Sequence, residues 1–208
     1  MKNSDTVVLS IAYMPPINYF VEMLRHGKCI LEKNENYCKQ TYRNRCEIYG
    51  ANGKQILCIP VKKTHDKKTK ISDVCIDNKV QWQKNHWRSI VSAYNSSPFF
   101  LYYSDIFEFF YNKQFENLFV YNLSILKAIL EILELKIEIT ESEYFIKEYS
   151  ENYVDLRYKL HPKIKAENLK KEYNQVFIEK YGFINNLSII DLIFNVGPDS
   201  SQFLYGLL

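Results

Sequence analysis

Three cations stand close together in KQTYRNRC, residues 39–46: Lys39, Arg43 and Arg45. Side chains alternate along a strand, so in a strand all three share one face with Thr41 and Glu47. Tyr42, Asn44, Cys46 and Ile48 take the other. Lys39 to Arg45 then spans about 20 Å at ~3.3 Å per residue, the scale of an extended phosphorylated ligand. Arginine grips carboxylates and phosphates with paired donors. The competing reading is the wet face of an antiparallel sheet, which is polar without any ligand. Periodicity alone favours the wet face.

His86 is the side chain best placed for acid–base work. It lies one helical turn from Trp82 and Ile90, beside Trp87. Aromatic walls can move a histidine pKa into the working range. A core-edge histidine bonded to backbone fits the same pattern, and the residues alone favour it. Tyr13 and Pro15 follow the first apolar run, where an open parallel sheet binds ligands; a proline turn explains them too. Tyr94, Asn95 and Ser96 close a helix, and either hydrogen-bond a sugar or cap that helix. Asp191 stands three residues after Ser188, a capping-box spacing, and neither it nor Asn195 reads as catalytic. His26, His65, His86 and His161 are scattered, with no metal-ligand spacing. GANGK at 50–54 lacks the P-loop pattern, and no nucleophile elbow is present. Cys38, beside Lys39, is the one thiol with an evident neighbouring cation.

The elements that must position these residues read as follows. TVVLSIAY (6–13) is a buried strand. INYFVEMLRHG is a helix with Gly27 as its stop, and KCILE (28–32) is a second strand. Strand, helix, strand at this spacing predicts a parallel crossover. Two strand-like runs flank the Asn-Gly pair of GANG, which predicts a β-hairpin pairing 41–49 with 55–61. ISDVCID (71–77) reads as a further strand. A helix follows with the stripe Trp82, His86, Ile90, Ala93 or Tyr94, ended by Pro98. A short helix and a long apolar one over 115–135 come next, and KIEITESEY gives one more strand. Residues 142–171 show no clear pattern. The C-terminal NNLSIIDLIFNVG is a helix stopped by Gly197-Pro198. The expected class is α/β: a small mixed sheet with a parallel strand-helix-strand start and a β-hairpin, followed by a helical C-terminal half. One domain over 1–208 is expected.

Composition narrows the function classes. The net charge is +3, too balanced for a nucleic-acid binder without a recognisable module. The basic run KKTHDKKTK (62–70) reads as a solvated loop, with a mobile lid over an anionic ligand as the runner-up. The five cysteines show no C-x-x-C spacing, so reduced thiols in a cytoplasmic protein fit best. No apolar run approaches the length of a membrane span; no metal-ligand set is found, and the sequence names no cofactor.

Several of these stretches resemble the WbqC-like proteins encoded beside bacterial surface-polysaccharide (O-antigen) genes. They are YMPPINYF, NYCKQTYRNRCEIYGANGKQILCIPV, WQKNHWRSIVSAYNSSPFFLYY and FINNLSIIDLIFNVGPDS, in the family's order across nearly the whole chain. The start departs from the pattern. The family often opens Gln-Pro-Asn-Tyr with a Trp after the second proline, whereas here Ser10, Ile11, Ala12 and Tyr13 run into Pro16. The resemblance implies a role in surface-polysaccharide biosynthesis. It supports group transfer onto an activated amino sugar, with His86 handling a proton. Tyr13, Lys39, Arg43, Arg45, Tyr94 and Asn95 would then bind an anionic ligand such as a nucleotide-sugar. The alternative it leaves open is a non-catalytic binding protein for a nucleotide-sugar or for a partner enzyme of the pathway.

Overall fold

Val7, Val8 and Leu9 have no exposed surface in strand β1 (Thr6–Ser10). An unbroken apolar run, rather than an alternating one, is what a strand covered on both faces requires. In the computed structural model, which describes residues 6–63 and 68–208, β1 leads through α1 (Ile17–His26) into β2 (Lys28–Glu32). Helix α1 buries Ile17, Phe20 and Val21, and Gly27 ends it at φ 69° with its N–H on the Met23 carbonyl at 2.9 Å. That left-handed turn is the reason for a glycine there. β2 pairs with β1 in parallel, Val8 opposite Ile30, so the predicted crossover is present.

The hairpin is β3 (Arg45–Gly50) with β4 (Gly53–Cys58), antiparallel and in a two-stranded sheet of its own. It is shorter than expected at the front. Residues 41–44 form a turn, with Thr41 Oγ1 donating to the Cys38 carbonyl at 2.9 Å. Lys39, Arg43 and Arg45 therefore do not line one strand face. Lys39 is exposed before the turn, Arg43 is buried within it, and Arg45 opens the strand. Residues 71–77 are not a strand either: Ile71–Asp73 is a 3-10 turn, and Cys75 and Ile76 make isolated bridges to Asn117 and Val61. The basic run 62–70 lies partly outside the described residues, at 64–67.

Helices α2 (Trp82–Tyr94), α3 (Phe100–Asn112) and α4 (Leu118–Ile132) follow. The buried residues of α2 are Trp82, His86, Ile90, Ala93 and Tyr94, the predicted stripe. Asn117 caps α4, its Oδ1 accepting from Val120 N at 2.9 Å. Strand β5 (Glu138–Glu141) and the three-residue β6 (Tyr153–Asp155) then complete a four-stranded sheet, order β5-β2-β1-β6, parallel throughout. β6 falls in the stretch where no pattern was legible.

The chain closes with α5 (Ile178–Tyr181), α6 (Ile189–Val196) and α7 (Ser200–Tyr205). The expected capping box at Ser188 is absent. Ser188 Oγ donates instead to the Met14 carbonyl at 2.9 Å, and Asp191 turns into the core. Burial of α6 on nearly every side explains why: its first turn packs against the start of α1 rather than facing water.

Candidate functional site

Open parallel sheets bind ligands beyond the carboxyl ends of their strands, where the strand order reverses. Here the chain moves outward from β1 to β2 and β5, then returns to the other side of β1 as β6. The reversal lies between β1 and β6. Their carboxyl ends bring Ser10, Asp155 and Arg157 together with Glu32, Glu35 and Arg43, and these form a buried ionic network. Arg43 Nη2 meets Glu35 Oε2 at 2.6 Å and Ser10 Oγ at 2.7 Å. Arg157 joins Asp155 at 2.6 Å to Glu32 at 3.1 Å. Arg43 and Arg157 are 4% and 2% exposed, so their charges are spent inside the protein. They shape the strand ends.

A narrow cleft at this point is lined by Ser10, Ala12, Arg43 and Arg157, among others. It shares Tyr42, Leu156 and Leu160 with a larger groove of about 430 Å³, within the range of small-ligand sites. The groove runs between α1 and the segment 156–170. It carries the cations Arg25, Lys159, Lys165 and Lys170 against the carboxylates Glu22 and Glu167. Arg25 is already tied to Glu22 at 2.7 Å. Lys159 and Lys165 are exposed and make no ion pair among the described residues.

His161 adds a hydrogen-bonding group beside these cations. Its Nδ1 accepts from Lys163 N at 3.0 Å, which leaves Nε2 as the protonated nitrogen of the neutral ring. Burial, then Arg45, Lys163 and Arg43, push its pKa below the ordinary histidine value. Arg45 thus acts on the groove, and its Nε is buried without a partner. The site is electropositive, held by donors, and suited to a phosphate or carboxylate.

The sequence-derived residues are scattered around this site. Arg43 borders the cleft, and Arg45 influences the groove from the hairpin. Lys39 is on an exposed turn. Tyr13 is fully buried, its hydroxyl 3.0 Å from His86 Nδ1 and 2.7 Å from the Tyr111 hydroxyl. Burial lowers the His86 pKa to about 4. It is a neutral imidazole with Nδ1 bonded to a tyrosine hydroxyl, against Trp82 at 5.2 Å between ring centroids. Tyr94 is also fully buried, and its hydroxyl accepts from Tyr49 N at 3.0 Å. Asn95 is exposed at the end of α2. None of His86, Tyr13, Tyr94, Asn95 or Lys39 lines the groove.

Sequence reading missed Lys159, His161, Lys165, Asn18 and Asn186. Three of the five lie in the stretch 142–171, which shows no periodicity. HPK at 161–163 was the available signal: a histidine among lysines just after a short apolar segment.

Comparison with known proteins agrees with this arrangement of motifs. Residues 12–169 match the WbqC-like protein family, a span that begins just after β1 and includes the hairpin and most of the groove wall. The uncharacterized protein Rv1507c of Mycobacterium tuberculosis (strain ATCC 25618 / H37Rv) is 26% identical over 220 residues, covering 92% of this chain and 94% of its own. No solved structure matches.

Proposed function

Because the chain belongs to the WbqC-like protein family, we propose that it serves surface-polysaccharide (O-antigen) biosynthesis in the cytoplasm by binding an activated amino sugar in the groove. The reaction class that fits is transfer of a group onto that sugar. The observation that carries the reading is the electropositive groove at the β1/β6 reversal. Lys159 and Lys165 meet the anionic part of a nucleotide-sugar, and His161 donates to it through Nε2. Arg45 adds charge from the hairpin. Arg43 acts through Ser10 and Glu35, holding the strand ends in place. His86, Tyr13 and Tyr94 serve the reading as packing and hydrogen-bonding groups behind the site.

One observation favours a non-catalytic binding role as the second reading. His161 has the acceptor nitrogen of its neutral ring already occupied by Lys163 N, and His86 is buried with Nδ1 bonded to the Tyr13 hydroxyl. A general base needs that lone pair free.

A thermal-shift panel of nucleotide-sugars, plain nucleotides, acyl-CoA and amino acids tests the proposal. A ligand at 100 times its dissociation constant stabilises the native state by about 2.7 kcal/mol. The expected result is a shift with nucleotide-sugars that falls sharply in Lys159→Ala and Lys165→Ala. An undiminished shift in both variants, or none with any nucleotide-sugar, contradicts it.

The groove also sets a pH dependence. Burial and then its cations disfavour protonation of His161 in the free protein, and a bound anion counters the cations. Protons and ligand then bind cooperatively, so affinity rises as pH falls through the range in which His161 titrates. His161→Gln should flatten the profile; an equally steep profile in that variant assigns the titration elsewhere.

A further inference from the structure

Helix α3 leaves an apolar face uncovered. Its inner face buries Phe100, Ser104, Phe107, Phe110 and Tyr111. Its outer face shows Leu101, Tyr102, Ile106 and Phe109, which are 79%, 76%, 41% and 54% exposed. No large apolar side chain among the described residues is more exposed than Leu101 and Tyr102. Single exposed apolar residues are ordinary, whereas a contiguous patch marks an interaction surface. The same face carries one charge of each sign. Asp105 stands four residues before Phe109, and Lys113, the residue after the helix, four residues beyond it. Both are exposed, and neither enters an ion pair among the described residues. Eight residues of helix separate them by about 12 Å, too far for a bond within one chain.

Charge and area together name the occupant. Residues spaced evenly on either side of Phe109 meet their opposites when two such helices pack antiparallel. A two-fold axis at Phe109 brings Asp105 to the partner's Lys113 and Lys113 to the partner's Asp105, the reciprocal contacts of a symmetric interface. The two Phe109 rings meet at the axis, where energetically dominant contacts concentrate. At about 200 Å² for a fully exposed side chain of this size, the four apolar residues offer roughly 500 Å². Two copies then cover about 1,000 Å² from these side chains alone, the area at which a specific interface begins. We propose that the outer face of α3 joins two copies of this chain in an antiparallel, two-fold dimer. Phe109 anchors it, and the Asp105–Lys113 pairs set its direction.

Sedimentation equilibrium of the full chain at up to roughly 100 µM, well above the micromolar Kd of a weak interface, tests this. The wild type should dimerise. Phe109→Glu places two carboxylates at the axis and should leave a monomer. Asp105→Lys and Lys113→Asp each set like charges against each other at both pairs, and each should weaken the dimer at least about ten-fold. An equimolar mixture of those two variants restores opposite charges at both pairs, so a heterodimer near wild-type affinity should form. All three substitutions are at exposed positions, and an unchanged far-UV circular dichroism spectrum checks that each variant is folded. A monomeric wild type at the highest concentration overturns the proposal and gives the face to another protein. A Phe109→Glu dimer as tight as the wild type overturns it by placing the interface elsewhere. A mixture no tighter than either charge variant alone overturns the antiparallel pairing.

Discussion

Arg157→Met should destabilise the fold by about 3–5 kcal/mol, the usual result of stranding one member of a buried ion pair. The Arg157 guanidinium is sealed from water. It sits between Phe145 and Tyr149 at 5.1 and 5.0 Å from their ring centroids. It binds Asp155 through Nε at 2.9 Å and Nη2 at 2.6 Å, and Glu32 through Nη1 at 3.1 Å. Glu32 has no exposed surface either, and its Oε1 already accepts from Ser142 Oγ at 2.5 Å and Asn34 N at 2.8 Å. Methionine fills the slot but leaves the Glu32 carboxylate without a counter-charge. Pairing it with Glu32→Gln removes that charge, so the double variant should recover most of the loss. Urea unfolding of the three proteins reads both numbers. A single-variant loss below about 1 kcal/mol, the size of an exposed pair, would mean that the network is wet. The strand ends would then lack the rigidity that the site assumes.

Asp191→Asn should act in the opposite direction, stabilising the protein above pH 6. Asp191 is fully buried in α6. Its Oδ2 accepts from Tyr173 Oη at 2.5 Å and Gln175 Nε2 at 2.9 Å, while Oδ1 has no partner. Burial raises its pKa to about 6 from the ordinary 3.8, against the lowering effect of its hydrogen bonds. A raised carboxyl pKa means that the native state prefers the protonated form. Below about pH 3 the carboxyl is neutral in both folded and unfolded chains, and no penalty exists. The favourable difference is lost as pH rises through 6. At pH 7.5 the buried charge then costs about 3 kcal/mol relative to a neutral group. Asparagine keeps the acceptor and removes the charge. Its gain should therefore be near that figure at pH 7.5 and near zero at pH 3. A loss of stability at pH 7.5 would show that Tyr173 and Gln175 need the carboxylate.

The parts of this fold that were legible in the sequence are those encoded locally. Val7-Val8-Leu9 announces a covered strand by its unbroken apolar run. Gly27 announces a left-handed stop, and the Asn52-Gly53 pair announces the hairpin. The α2 stripe from Trp82 to Tyr94 shows at its helical spacing. What failed was inference across a boundary that propensity does not mark. The parity argument for Lys39, Arg43 and Arg45 needed a strand reaching back to residue 39. Instead, hydrogen bonds of the Thr41 turn stop it at Arg45. The same limit hid Asp191, whose spacing from Ser188 mimics a cap while its burial is set by Tyr173 and Gln175.

The groove was illegible for a different reason. It depends on β6, three residues long and too short to show a period, pairing with β1 from far along the chain. That pairing carries Lys159, His161 and Lys165 to α1. Asn186 arrives by a second long-range contact, its Oδ1 on the backbone of Asn18. Side chains that meet only through such contacts leave no spacing in the sequence.

The most direct test places the ligand with the histidines themselves. Only four are present in the chain, so their ring resonances can be followed one by one by NMR in a histidine-labelled sample. On addition of UDP-N-acetylglucosamine, the His161 signals should move and its pKa should rise. His86 should stay neutral down to about pH 4, as its burial requires. Movement of His86 with His161 unchanged would put the ligand against the aromatic core and contradict the groove as the site.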